Sequence, residues 1–468
     1  MQTVAHGDAD FLRKGQIMDE IRLKDYRCFR EKQAARLAPL TLLVGENSTG
    51  KTSFLAIVRA LWDLAFSHKV PDFKEEPYDL GSFEEIAHYR GRRSGKTATF
   101  IAGFSATTPS TRRMTKKLVS QKFGAKFTKI GTTPYPIGRS FGSDDCRIEE
   151  YNEKNNAYTI KVTTARGSWE KRLEKNLEER SIIEERLMPP YILFEMAQAS
   201  RESKEENLGL KPLDNSPAFG PDDYEALRRF PWYDLSKFKV RPFASAPVRS
   251  KPRRTYDPSR PTRDPEGDYV PMYLADVFTQ SNSEWARLKE GLERFGKKAG
   301  LFDEIFIRRK GQRDNEPFQI HFRKLGSKLK GPSRNLIDIG YGVSQVLPVI
   351  TELLRPDAAP LFLLQQPEIH LHPSAQAALG SLFCQIASRE RQLIVETHSD
   401  HLLDRVRMDV RDGRSALKPE DVSILFFERN ELDVHIHSLK IDGEGNVLNA
   451  PDSYRRFFME ETARSLGL

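Results

Sequence analysis

Cysteine is nearly missing from this chain: Cys28, Cys146 and Cys384 are three in 468 residues. That is too few, and too scattered, for a disulfide framework or a zinc site, and it suits a reducing compartment. Long apolar runs are missing as well, since no stretch approaches the ~18 residues of a membrane span. The first twenty residues, MQTVAHGDADFLRKGQIMDE, lack the apolar core of a signal peptide. These absences lead us to expect a soluble, cytoplasmic protein with no membrane partner. A large excess of one charge is also lacking: 74 Lys and Arg against 66 Asp and Glu leave +8. Such a balance permits a nucleic-acid or acidic partner without demanding one. No internal repeat and no low-complexity tract interrupts a length that suits two or three structural units.

What is present is most specific at Gly45–Thr52, GENSTGKT, directly after the apolar run Leu40–Val44. Gly-x4-Gly-Lys-Thr between a strand and a helix is a phosphate-cradling P-loop. Its glycines let consecutive N–H groups and the helix N-terminus face an anion. Gly45, Asn47, Ser48, Gly50, Lys51, Thr52 and Ser53 are therefore the expected nucleotide-binding residues. Lys51 can reach the β- and γ-phosphates and the Thr52 hydroxyl can hold Mg²⁺. PLTLLV reads as a buried parallel strand and TSFLAIVRALWDLAF has helical apolar spacing. ATP with Mg²⁺ is the expected cofactor.

Acidic residues vanish between Ile86 and Ser143, where twelve Lys and Arg occur, including Arg112, Arg113, Lys116, Lys117, Lys122, Lys126 and Lys129. With Phe123 and Phe127 interleaved, the segment from Arg112 to Lys129 could track a phosphate backbone while the aromatics stack on bases. A solvated basic loop, or a dock for an acidic protein, is the alternative. Ile21–Phe29 and Thr97–Ser105 alternate as strands, and CRIEEYN with YTIKVTT reads as a hairpin around Glu153–Asn156. Trp169–Met188 has the spacing of an exposed amphipathic helix closed by Pro189 and Pro190. Arg201–Asp222 reads as a linker or irregular surface. Lys237–Pro271 holds nine bases and four acids. Its prolines keep it extended, so that Arg249, Arg253 and Arg254 either meet phosphates or face solvent. Glu284–Gly300 reads as a helix, and IFIRRK with FQIHFRK as paired strands.

Three later segments share the texture of one site. LIDIGYGVSQVLPVI (Leu336–Ile350) sets a glycine-rich turn before an apolar helix, so Gly340, Gly342, Ser344 and Gln345 cluster at a second anion-binding helix end. LFLLQQPEIHLHP (Leu361–Pro373) and LIVETHSDH (Leu393–His401) are buried strands ending in polar residues, and ligands of parallel sheets bind at such carboxyl ends. His370, His372, His398 and His401 also permit a metal-cluster reading.

GENSTGKT, GYGVSQ, LFLLQQPEIHLHP and IVETHSD resemble the Walker A, signature, Walker B with D-loop, and switch-histidine segments of ABC-type ATPases. The likeness is to the AAA-15/AAA-21 and overcoming-lysogenization-defect group, soluble relatives of SMC and RecF heads. The wording GYGVSQVLP and QPEIHLHP and the ending APDSYRRFF resemble ATPase subunits of bacterial antiphage systems such as Septu and PARIS. The resemblance implies an α/β fold, a P-loop ABC-type ATPase head with a mixed sheet flanked by helices and an inserted basic and helical region. It divides the chain into a loose N-terminus (1–20), an ATPase lobe with Walker A (21–105), an inserted region (106–290) and a second lobe (291–468). It further implies a homo-oligomer, at least a head-to-head dimer, with ATP between Lys51 and Thr52 of one chain and Gly342, Ser344 and Gln345 of another. His398 would contact the γ-phosphate side, and HLHP reads as the D-loop turn.

Where the family ends its Walker B strand in two carboxylates, this chain has Gln365 and Gln366. Glutamine can hold a metal or orient a water but cannot serve as a general base. Gln365 is thus the expected metal-side residue and Gln366 the water-orienting one, with Glu368 and Glu396 the carboxylates available to substitute. Phosphoryl transfer depends mainly on positioning and electrostatics, so slow turnover survives a weak base. No Asp-x-Asp pair follows His401, so an in-chain Toprim nuclease is not expected and a separate effector, a nuclease, becomes the implied partner. Control of that effector in antiviral defence leads. A DNA-binding ATPase of the RecF or SMC kind and a nucleotide-stapled scaffold that does not hydrolyse are the alternatives.

Overall fold

Strand-period alternation reaches much further through the first half of the chain than its charge pattern suggests. The structure, a computed structural model, describes residues 18–67, 69–91, 95–109, 118–152, 157–174, 209–228, 240–259, 262–311, 313, 316–327 and 329–454. In chain order it begins β1 (Glu20–Lys24), β2 (Gln33–Arg36), β3 (Leu40–Gly45) and helix α1 (Lys51–Phe66). There follow β4 (Phe100–Pro109), β5 (Leu118–Ile130), β6 (Thr133–Gly142), β7 (Cys146–Asn152), β8 (Ala157–Thr164), β9 (Gly167–Glu174), β10 (Lys211–Pro212) and β11 (Phe243–Ser245). Next are α2 (Val270–Gln280), α3 (Asn282–Lys298), β12 (Glu304–Arg309), β13 (Phe318–Arg323), β14 (Arg334–Asn335), α4 (Tyr341–Leu354) and β15 (Leu361–Gln365). The order closes with α5 (Pro373–Ile386), β16 (Gln392–Glu396), α6 (Asp400–Arg411), β17 (Val422–Asn430), β18 (Asp433–Ile441) and β19 (Val447–Leu448). The protein is a mixed α/β molecule with large sheets flanked by helices. It divides into two compact units, 1–37 with 46–241 and 427–436, and 38–45 with 242–426 and 437–468.

The first unit is built on a nine-stranded sheet in the order β10-β9-β8-β7-β6-β5-β4-β1-β2. Its inner face is aromatic. Phe100 stacks on Phe127 with centroids 4.7 Å apart, and Phe123 sits between Phe104 at 5.4 Å and Phe141 at 5.3 Å. Two expectations fall here. The basic segment is not a loop over its described part, because Gln121, Phe123, Ala125 and Phe127 point inward at period two while Lys122 and Lys126 point out. Phe123 and Phe127, 2% and 0% exposed, are core and cannot stack on bases. Arg112, Arg113, Lys116 and Lys117 lie outside the described residues.

The expected helix at Trp169–Met188 begins as strand instead: Trp169–Glu174 belongs to β9, paired antiparallel with β8. Trp169 is fully buried, its ring edge-on to Phe219 at 4.9 Å and its indole N–H donating to Pro217 O. Helical spacing of the leucines lost to the pairing surface that β8 offers. Residues 175–188 are outside the described part, as are the Glu153–Asn156 turn and most of the expected loose N-terminus. Of the latter, Met18 is buried and Glu20 already opens β1.

The second unit carries the parallel run β11-β15-β16-β3, which β17, β18 and β19 extend into a seven-stranded sheet. β15 and β16 are buried at every position, as strands covered on both faces must be. Helices α2 to α6 close over them, with Leu274, Leu292, Val346, Leu379 and Val406 in one apolar core. β12 and β13 pair antiparallel as their sequences suggest, with β14 alongside.

Candidate nucleotide site

β3 delivers the chain to the P-loop, its LTLLV buried throughout. Gly45 has φ 139°, and Ser48 and Gly50 are left-handed at 61° and 87°. These turns swing successive N–H groups to one side, the geometry of an anion nest. Gly50 allows no side chain, because a Cβ there would lie 2.6 Å from Cys28 Sγ and 3.0 Å from the Phe29 ring. Thr49 Oγ1 and Lys51 Nζ both donate to Glu46 O, at 2.8 and 2.6 Å, and Arg429 donates to Ser48 O. Tyr26 supports the start of α1 by donating to Ser53 O at 2.8 Å. Lys51 is buried at the loop while Thr52 is half-buried and no acid occupies the first helical turn. A cradle of N–H donors, one ammonium and one hydroxyl fits a polyphosphate with a hard cation.

The second unit gathers the strand-end residues. Gln365 and Glu396 are register partners across β15 and β16, and Gln366 N donates to Glu396 O at 2.8 Å. Gln366 at φ 39° and His370 at φ 66° are both left-handed, which bends QPEIH into a tight turn. The bend brings Glu368 onto the end of β16. Its Oε1 accepts from Thr397 Oγ1 at 2.7 Å and from His398 N at 2.9 Å. Its Oε2 is buried and has no hydrogen-bond partner among the described residues. Burial pushes the Glu368 carboxyl above the usual carboxylate range, against the hydrogen bonds from His398 and Thr397 and the nearby Arg249 charge.

Arg249 was grouped above with Arg253 and Arg254, and the structure separates them. Arg253 pairs with Asp268 and Arg254 with Asp338 at the surface. Arg249 lies four residues beyond the end of β11 and is 2% exposed. Its Nη2 donates to Gln365 O at 3.1 Å and Gln366 O at 3.4 Å, while Nε and Nη1 are buried without a partner among the described residues. Burial draws the guanidinium down to about 10, with Glu368 acting the other way, so it stays charged near neutral pH. The sequence signal was an arginine closing the apolar FASAPV, a poor place for a solvated cation.

At the start of α4, Gly342 is held against the His370–Leu371 turn, where a Cβ would lie 2.7 Å from His370 O. The Tyr341 and His370 rings meet edge-on at 5.0 Å. Ser344 Oγ donates to Tyr341 O at 2.8 Å. Gln345, expected to face a nucleotide, turns inward: its Oε1 accepts from Arg249 N and its Nε2 donates to Arg249 O. Its amide is spent on clamping that backbone. Gln365 Nε2 likewise donates to Ser245 O at 3.3 Å. His398, His370, His372 and His401 are exposed, and His372 caps α5 by accepting from Ser374 N. No three His, Cys, Asp or Glu among the described residues converge to hold a metal.

A family model described as "AAA domain, putative AbiEii toxin, Type IV TA system" matches residues 40–404. No curated protein matches the sequence. Among solved structures the chain is similar to an Smc head bound to the C-winged helix domain of ScpA, at 12% identity over 91% of this chain and 98% of that one, with a TM-score of 0.44. It is similar also to the Smc head domain with an extended coiled coil bound to the C-terminal domain of ScpA from Pyrococcus furiosus, at 11% identity, 96% and 99% coverage and a TM-score of 0.43. The SMC head domain from Thermotoga maritima matches at 12% identity, 91% and 99% coverage and a TM-score of 0.35.

Proposed function

The chain belongs to the AAA-domain family whose model spans residues 40–404, and on that premise we propose that it binds Mg·ATP, hydrolyses it slowly, and uses nucleotide state to control a separate effector. The observation that carries this reading is Glu368. It is buried, fixed at Oε1 by Thr397 and His398 N, and at Oε2 without a hydrogen-bond partner among the described residues, beside a strand end that holds Gln365 and Gln366 where the family has carboxylates.

Lys51 and the backbone donors of Gly45, Asn47, Ser48 and Gly50 would hold the phosphates. Thr52 Oγ1 would serve Mg²⁺, which neutralises charge on the phosphoryl oxygens when bound, and the family resemblance gives Gln365 the metal-side position of its strand. Glu368 would accept the proton of a water that Gln366 orients, and His398, exposed at the end of β16, would by the family resemblance contact the γ-phosphate side. Glu396 has its main chain tied to Gln366 and ranks behind Glu368. Burial raises the Glu368 carboxyl above the usual carboxylate range and so disfavours the ionised form that a base needs, in the direction of slow turnover. Exposed Gly340 and Tyr341 at the head of α4 support a head-to-head dimer in which Gly342 and Ser344 cap the partner's nucleotide. Control of a nuclease in antiviral defence is supported by the wording of GYGVSQVLP, QPEIHLHP and APDSYRRFF.

Mg·ATP turnover by the purified protein tests this, with and without duplex DNA. Slow turnover is expected, abolished in Lys51→Ala and cut by about 10²- to 10⁴-fold in Glu368→Gln. Light scattering should find Glu368→Gln dimeric with ATP and Lys51→Ala monomeric. ATP that binds yet is never turned over by the wild type would replace the enzyme with a nucleotide-stapled scaffold, which the paired glutamines favour. Loss of phage protection in both variants is the expected cellular result.

A further inference from the structure

The outward face of the nine-stranded sheet in the first unit contains a hollow of about 500 Å³ whose origin is visible in the strand register. Arg22 on β1 faces Gly103 on β4, Gly103 faces Gly124 on β5, and Gly124 faces Ser140 on β6. One step along the strands, Lys122 faces Gly142, which faces Arg147. Four small residues in adjoining rows of three strands leave the solvent side of the sheet without side chains. Nothing larger fits at Gly103, where a Cβ would lie 2.4 Å from Phe123 O, and at Gly124 a Cβ would lie 2.7 Å from Ser140 Oγ and require that hydroxyl to turn away. Two inter-strand spacings make the floor about 10 Å wide.

Five cations wall this floor: Arg22, Lys24, Lys32, Lys122 and Arg147, and no carboxylate is among its lining residues. Arg22 and Arg147 are already engaged at its margins by Glu20 at 3.6 Å and Glu149 at 2.7 Å. Lys24, Lys32 and Lys122 are exposed and carry no ion pair among the described residues. A solvated lysine costs nothing to a fold, but three unpaired ammoniums around a floor stripped of side chains concentrate positive potential where a chain of anions can lie against backbone. The aromatics beneath, Phe123 and Phe141, are 2% and 1% exposed and offer no face to a base. Recognition here is therefore of phosphates and not of base identity.

We propose that this hollow binds the phosphodiester backbone of a nucleic-acid strand, without sequence preference, through Lys24, Lys32 and Lys122. The site lies wholly in the first unit and needs no nucleotide, so it stands or falls apart from the ATPase reading.

Fluorescence anisotropy with labelled twelve-nucleotide oligomers, in the absence of ATP, tests it on the full chain. Oligo-dT and oligo-dA should bind alike. Neutralising three phosphates gives a slope of log affinity on log salt near −2 for a single strand, a loss of about 20-fold between 50 and 200 mM. Lys24→Glu/Lys32→Glu/Lys122→Glu should lose at least ten-fold in affinity and most of the slope, with an unchanged melting curve. Lys297→Glu/Lys330→Glu/Lys440→Glu, the same change in net charge on exposed lysines elsewhere, should bind as wild type. A duplex of the same length shows whether a paired backbone is also accepted, and binding of either form supports the proposal. Equal losses in the two triple variants, no loss in the first, or polyglutamate competing as well as the oligomer would each overturn it.

Discussion

Glu368 stands two positions beyond the glutamine pair in sequence, and only the left-handed backbone at Gln366 and His370 turns it back onto the end of β16. There its placement sets a conflict between chemistry and stability. A carboxyl whose folded pKa is raised binds more protons in the native state than in the unfolded one between the two pKa values. Stability therefore falls as pH rises through that window. The direction for Glu368 is upward, by burial, so the window opens at the ordinary carboxylate range and extends above it. Glu368→Gln should accordingly gain stability relative to wild type at pH 7 while showing little gain at pH 4, read from urea midpoints at both pH values. With Glu368 in the proposed role of base, wild-type turnover should rise with pH through the same window, since only the ionised form can take a proton. A variant equally stable or destabilised at pH 7 would mean that Thr397 and His398 hold the charge more firmly than burial opposes it. Arg249 obeys the same logic in reverse. Its buried fork, two of its three nitrogens without a partner among the described residues, holds the Gln365 and Gln366 carbonyls through the third and keeps a positive charge beside Glu368.

Elements in this chain follow the surface they can pair with when local spacing is ambiguous. WEKRLEKNLEERSIIEERLM has leucines at helical intervals, yet its first six residues complete β9. What decides is the row of partners on β8, Val162 facing Trp169 and Ile160 facing Lys171, and the pocket formed by Phe219 and Pro217. Trp169→Ala should cost about 3–5 kcal/mol, as truncation of a buried aromatic does. On an exposed helix the same change would shift the urea midpoint by almost nothing. In the opposite direction, α3 spans Asn282–Lys298, close to the expected Glu284–Gly300, because Ser281 caps it, Lys297 and Lys298 suit its C-terminus, and its apolar stripe is continuous. The helix after the P-loop was equally plain, though burial at every position but Thr52 shows that it is enclosed on all sides, more than its apolar spacing requires.

At the scale of the whole molecule, each unit is assembled from three separate stretches of chain. The first recovers residues 427–436 from near the far end of the sequence. Val434 N donates to Cys28 O at 2.9 Å and Ile436 N to Gln33 Oε1 at 2.8 Å, while Phe427 packs against Phe29 at 6.1 Å and Phe54 at 5.7 Å. Phe29 is also the ring beneath Gly50. Phe427→Ala, remote in sequence from the P-loop, should cost about 3–5 kcal/mol and weaken ATP binding in titration calorimetry. Unchanged affinity would show that the loop holds its shape without that support. The sequence by itself determined the P-loop, the buried parallel strands, the helix at 284–300 and the hairpins, because each depends on neighbours within one turn or one strand. Which carboxylate stands at the strand end, that Gln345 faces inward, that Arg249 is buried, and that glycines on three strands leave one hollow were decided only by tertiary structure. Those facts depend on register between strands and on backbone turns that a linear pattern of residue types does not encode.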